Sequence, residues 1–221
     1  MIEKVFVKET EEYIYVRIQT TNNPLCLIIL AHGAGVDMYS DFMVLIQKYL
    51  LDRNIASICF NFGYKEKGKK LPGSKKALDF EYKAVWKYVK EKYPEFPLFI
   101  GGKSMGGRVS TRIINDLDGV LGLVFLGFPV HPPGKPDKPP EDYMFKIGTP
   151  MLFLQGSRDN FSKKEPIESI IPKLKDAELF WLERGDHSWK PSKSTAVTQE
   201  ELIEKASHRI EKFCRQILDR E

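Results

Sequence analysis

Cysteine is scarce in this chain, and long hydrophobic runs are absent. The three cysteines, Cys26, Cys59 and Cys214, show no metal-ligand spacing and form no disulfide framework. Cys26 and Cys59 fall in apolar, strand-like runs, where a free thiol serves as a small buried hydrophobe. A reducing compartment, the cytosol, is therefore expected. The longest apolar stretch, Val120 to Phe128, is far short of the roughly 20 residues that span a bilayer. Met1-Ile2-Glu3-Lys4 leads into alternating polar and apolar residues without an apolar signal core, so neither secretion nor a membrane is expected. Excess charge is also small. A formal net charge of +4 does not by itself argue for nucleic-acid binding. No metal and no cofactor is expected.

What is present is an ordinary soluble balance, with 42% apolar and 29% charged residues. A chain of 221 residues can bury a core without disulfides or a structural metal. Residues 4–8 and 13–18 alternate apolar and polar side chains and read as a half-exposed hairpin. Residues 25–31 are continuously apolar, as in a strand buried on both faces. Helical spacing follows over 39–51, a second buried strand over 55–60, and a helix over 77–92. The alternation continues with a strand near 97–101, a helix near 104–116 and a strand near 120–126. After a proline-rich loop come a strand at 150–155, a helix near 165–174 and a strand at 178–182. A long last helix begins at Thr198, where Thr198 and Glu201 have capping-box spacing. This order predicts one α/β domain over 1–221: a mostly parallel eight-stranded sheet with helices on both faces. The segment Gly127–Gly148, with six prolines, is too short for a lid domain.

Open parallel sheets bind ligands at the carboxyl ends of their strands. The third strand runs into His32-Gly33-Ala34-Gly35 and the fifth into Gly101-Gly102-Lys103-Ser104-Met105-Gly106-Gly107. The seventh leads to Gly156-Ser157-Arg158-Asp159 and the eighth to Gly185-Asp186-His187. Gly102 to Gly106 matches the G-x-S-x-G nucleophile elbow, with a strand before and a helix after. A tight turn there pushes the Ser104 hydroxyl outward and requires glycine at the flanking positions. His187 is the candidate base, since a serine hydroxyl needs one. The order Ser, Asp, His also fits the elbow. Asp186 adjoins His187, but neighbouring side chains diverge, so Asp159 is the expected orienting acid. Asp137 and Asp142 are lesser alternatives. The amides of Ala34 and Met105 are the expected oxyanion donors.

Other features take plainer readings. His32 is expected to brace the oxyanion loop through backbone hydrogen bonds, and His131 and His208 have no expected chemical role. Trp181 and Trp189 read as packing residues, with Trp189 close enough to His187 to wall the site. Lys103-Ser104 also ends a phosphate-binding pattern, but that pattern needs glycine where Pro97 stands and a flexible loop where Leu98-Phe99-Ile100 forms a strand.

The motifs carry a resemblance. Leu30 to Gly35, Phe60-Asn61-Phe62, Gly101 to Gly107, Phe128-Pro129-Val130-His131-Pro132-Pro133-Gly134-Lys135-Pro136 and Gly156 to Asp159 together resemble the α/β-hydrolase superfamily, on its dienelactone-hydrolase side. More narrowly, the chain is similar to a small predicted-hydrolase family that includes a testis-expressed protein and a histone acetyltransferase complex subunit. The resemblance implies a lidless α/β-hydrolase fold with nucleophile Ser104, acid Asp159 and base His187. It implies no particular substrate, and the chromatin-associated relative keeps a catalytically weak interaction module as the alternative to a carboxylesterase or thioesterase.

One loop bears on the substrate. Residues 62–76 hold six lysines against one glutamate. Lys65, Lys67, Lys69 and Lys70 are either a solvated surface or a positive rim that attracts a small anionic ester or thioester.

Overall fold

The computed structural model describes residues 1–131 and 142–220. Asp137, the side chain of Asp142 and the proline-rich run after His131 lie outside the described residues.

The strands are β1 (Ile2–Val7), β2 (Glu12–Gln19), β3 (Cys26–Ala31), β4 (Ile55–Phe60), β5 (Leu98–Lys103), β6 (Val120–Leu126), β7 (Met151–Gly156) and β8 (Ala177–Leu182). The helices are α1 (Asp41–Leu51), α2 (Gly63–Glu66), α3 (Lys75–Lys92), α4 (Met105–Ile113), α5 (Lys164–Ile170) and α6 (Gln199–Leu218). The strands form one sheet in the order β1-β2-β4-β3-β5-β6-β7-β8. The β1–β2 and β2–β4 pairs are antiparallel and the remaining pairs parallel.

The composition of each element explains its place. β3, β4, β5 and β7 are buried along their whole length, as strands covered on both faces must be. One core contains Met43, Ile46 and Leu50 of α1 together with Ile203, Ile210 and Phe213 of α6. The other contains Tyr82 and Val85 of α3, Val109 of α4 and Ile167 of α5. Helices thus cover both faces. Ser74 caps α3 by accepting from the Ala77 amide, and both halves of the Thr198–Glu201 capping box are formed at α6.

Several boundaries differ from the sequence expectation. The helix expected over 165–174 stops at Ile170 and tightens into a 3-10 turn, Ile171–Lys173, where Pro172 brings no amide donor. The helix expected over 104–116 likewise ends in a 3-10 turn, Ile114–Asp116. The lysine-rich loop begins with the short helix α2, which periodicity over four residues does not reveal. Between β6 and β7 the described residues hold only a 3-10 turn, Asp142–Lys146, and no lid.

β3 sits between β4 and β5, so the chain leaves β3 to one side and returns on the other. The loops after β3 and β5 therefore flank the point where strand order reverses, the place where such sheets bind ligands.

Candidate active site

β5 continues to Lys103, so the turn into α4 falls on Ser104 itself. Ser104 has φ 49° and ψ −107°, a conformation costly for any residue with a Cβ. Its hydroxyl makes no capping bond to α4, which leaves the oxygen available. The flanking glycines are there for room. A Cβ on Gly102 would lie 2.4 Å from the Ala31 carbonyl oxygen, and one on Gly106 would lie 2.3 Å from the same atom. Backbone contacts of that length are not relieved by rotating a side chain. Gly106→Ala is expected to cost about 3 kcal/mol, or roughly 6–12 °C in Tm for a chain of this size. Thermal unfolding followed by circular dichroism checks this.

The loop after β3 passes over the serine. A Cβ on Gly33 would lie 3.6 Å from Ser104 Cβ, so the loop that carries Ala34 approaches the turn. His32 braces this loop as expected. Phe62 N–H donates to its Nε2 at 3.2 Å, so Nδ1 carries the proton and donates to the Gly33 carbonyl at 2.7 Å. Burial lowers the His32 pKa to about 4, so the ring is neutral. Met105 opens α4, and amides of a first helical turn have no intrahelical partner.

His187 and Asp159 meet on the same edge. His187 Nδ1 lies 2.7 Å from Asp159 Oδ2. The Asp159 side chain is fully buried, and its other oxygen accepts from Phe161 N–H at 2.8 Å. With a carboxylate at Nδ1, that nitrogen donates and Nε2 keeps its lone pair. Asp186 is committed elsewhere: its Oδ1 accepts from the amides of Ser188 at 2.7 Å and Lys190 at 2.9 Å. Geometry thus assigns the carboxylate at His187 to Asp159. The Phe161 ring stands edge-on to His187, with centroids 4.7 Å apart. Trp189 is buried and packs against Phe42 at 4.8 Å.

Sequence reasoning passed over two neighbours of this group. One is Phe161, which bare sequence distance from Asp159 does not mark. The other is Lys103, whose signal was a charge at the end of an otherwise apolar strand. It is 6% exposed and its Nζ donates to the His187 carbonyl at 2.6 Å.

The lysine loop is tied down at its base. Lys67 pairs with Glu12 of β2, while Lys69 and Lys70 are exposed and Lys65 is half-buried. Gly63 N–H donates to the buried Glu81 carboxyl at 3.1 Å. Burial raises the Glu81 pKa to about 7, partly offset by that amide. A folded pKa above the ordinary 4.5 means that the folded protein holds this proton more tightly. Stability is then fully present below about pH 4.5 and declines as pH rises through 7. Glu81→Gln is expected to raise Tm at pH 8 and to change it less at pH 5. An equal shift at both values would contradict this reading.

Among the described residues no group of histidine, cysteine, aspartate and glutamate side chains is placed to hold a metal ion. No described helix is long and apolar enough to cross a membrane.

Solved structures share this architecture at low identity. Est1E from Butyrivibrio proteoclasticus matches with a TM-score of 0.77 and 13% identity, over 99% of each chain. An alpha-beta serine hydrolase homologue from Coxiella burnetii gives 0.72 and 15%, covering 97% of this chain and 95% of that one. A serine hydrolase without lid from Xanthomonas campestris gives 0.69 and 14%, covering 100% and 94%. These likenesses carry the fold. A family model described as an alpha/beta hydrolase domain matches residues 24–215, and the chain belongs to that family.

Proposed function

We propose that this protein is a serine hydrolase that cleaves a small or water-soluble ester or thioester through an acyl-enzyme. The observation that carries the reading is the strained, uncapped Ser104 at the strand-order reversal, on the edge that holds the Asp159–His187 pair. Strain of this kind costs about 1–3 kcal/mol and persists where the surroundings enforce it. A pure interaction module has no use for it.

The chemistry follows from the roles. His187 Nε2 takes the Ser104 hydroxyl proton as Oγ attacks the acyl carbonyl carbon. Asp159 holds the ring in the productive tautomer and stabilises the imidazolium. The amides of Ala34 and Met105 donate to the oxyanion. Collapse breaks the bond to the leaving alkoxide or thiolate, which receives the proton from His187. A water then repeats the attack, gives its proton to His187, and releases the acid with Ser104 restored.

Two features bear on the substrate. The described residues between β6 and β7 form no lid, which favours short acyl groups. A panel of p-nitrophenyl esters and acyl thioesters should give its highest kcat/KM at short chain lengths, without a jump on emulsified long-chain esters. Uniform inactivity across the panel would count against the reading. The second feature is the lysine loop, proposed as a rim that attracts anionic substrates. Lys67 is already paired with Glu12, so the burden falls on Lys65, Lys69 and Lys70. Reversing these three to glutamate should lower kcat/KM for an anionic ester at low salt and spare a neutral one. Equal losses on both would point to damage of the site.

A further inference from the structure

The residue between the elbow glycine and Ser104 is a lysine, and it is buried. Its Nζ donates to the His187 carbonyl at 2.6 Å and lies 5.6 Å from the centre of the Phe42 ring. The backbone leaves a place for this contact. Gly127, at φ 67°, follows β6, and a Cβ there would lie 3.0 Å from Lys103 Nζ and 2.9 Å from the His187 carbonyl oxygen. The same Cβ would come within 3.7 Å of His187 Cε1. The lysine, the glycine and the histidine loop therefore converge on one point beside the imidazole.

We propose that Lys103 is a positioning residue for the hydrolase reaction: its buried ammonium clamps the His187 backbone carbonyl and so holds the imidazole in register with Ser104. This rests on the serine-hydrolase reading. The two ends of the clamp belong to the two partners of the proton transfer. Lys103 is the residue immediately before Ser104, and it grips the backbone of His187. One side chain thereby fixes the separation of nucleophile and base across strands β5 and β8, which are not adjacent in the sheet. Mutual placement of reacting groups is worth orders of magnitude in rate.

Charge supports the arrangement. Burial lowers the Lys103 pKa to about 8, and Asp159 and Asp186 act against it to keep the amine protonated. The ionisable groups nearby are these two carboxylates and the His187 ring, with Asp41 of α1 and Lys190 lining the adjoining cavity. When His187 takes the serine proton, two positive groups face two carboxylates, and the cluster is balanced. As pH rises past about 8 the ammonium becomes an amine, its bond to the carbonyl weakens from a charge-assisted to a neutral one, and the clamp loosens.

Phosphonylation of Ser104 by a small fluorophosphonate is the direct readout, because it uses the nucleophile and base and involves no deacylation. Rates are measured from pH 6 to 10. In the unaltered protein the rate should fall above about pH 8 as Lys103 loses its proton. Lys103→Met and Lys103→Gln should both be slower at pH 7.5 by about tenfold or more, the loss of one charge-assisted hydrogen bond. Both should also lose the alkaline fall. Gln keeps a polar donor in the site, and melting curves identify whichever variant is folded. A third arm uses the cavity of about 210 Å³ that Lys103 lines with Val36, Phe42 and Ser188. In Lys103→Ala, n-propylammonium should restore the rate and n-propanol should not. Folded variants that label at the normal rate, or that keep the alkaline fall, would overturn the role of Lys103 alone. Equal rescue by the alcohol would do the same, since it assigns the effect to packing. An unaltered protein that does not label at all would overturn the serine-hydrolase reading, and the clamp with it.

Discussion

Ser104→Ala is expected to abolish covalent labelling by a fluorophosphonate and to lower kcat by about 10⁶-fold, the scale seen when a serine protease loses its nucleophile. In the unaltered protein, mass spectrometry should place a single adduct on Ser104. The expectation rests on three separate constraints acting on one residue. The turn forces φ to 49°, so the side chain leaves the line of β5. The glycines at 102 and 106 let the Ala31 backbone close against the turn and hold it. The hydroxyl makes no capping bond to the helix that follows. The strain itself has a test. Ser104→Gly should be as inactive as the alanine variant yet more stable by about 1 kcal/mol, because only glycine relaxes the positive φ. Turnover that survives both substitutions would show that another group attacks the substrate.

Asp159→Asn is expected to lower kcat by about 10⁴-fold, the size of loss that follows when a triad aspartate becomes asparagine. The reason lies in the two bonds that the buried carboxylate makes. One oxygen accepts from Phe161 N–H and the other meets His187 Nδ1. An asparagine offers one oxygen and one NH₂ to these two donors. If the oxygen stays with the Phe161 amide, the NH₂ faces Nδ1 and forces the proton to Nε2. The ring then has no lone pair for the serine proton. Asp186→Asn should behave differently. A single oxygen of Asp186 accepts from both Ser188 and Lys190, and an asparagine oxygen can do the same. Its loss should stay below about tenfold, the worth of a single neutral hydrogen bond. A reversed order of the two variants would reassign the orienting acid to Asp186.

Much of this arrangement could be read before folding. Continuous apolar runs at 25–31 and 55–60 meant strands covered on both faces, and β3 and β4 are buried throughout. The elbow was legible because its pattern lies in consecutive residues between a strand and a helix, although the backbone that its glycines make room for is Ala31 of β3. The preference for Asp159 over Asp186 followed from the divergence of adjacent side chains; in the structure Asp159 is the carboxylate at His187 Nδ1, and Asp186 accepts from two amides. Boundaries were less legible, since Pro172 shortens a helix that the apolar spacing alone would extend.

Lys103 shows the other side. As a residue it read only as part of a phosphate-loop look-alike, and nothing local says that its amine reaches 84 positions along the chain to His187. The lysine loop is similar. Composition marked its charge, but only the fold puts Glu12 within reach of Lys67 and leaves Lys69 and Lys70 exposed. The sequence by itself determined the order of strands and helices, the strained serine and which loops lie on one edge of the sheet. These depend on periodicity and on motifs written in consecutive residues. The tertiary structure alone decided which side chains meet across that edge, how Lys103 came to be buried with its charge, and which lysine is spent on an ion pair. Those outcomes depend on distances between segments far apart in the chain, which only the packed sheet brings together.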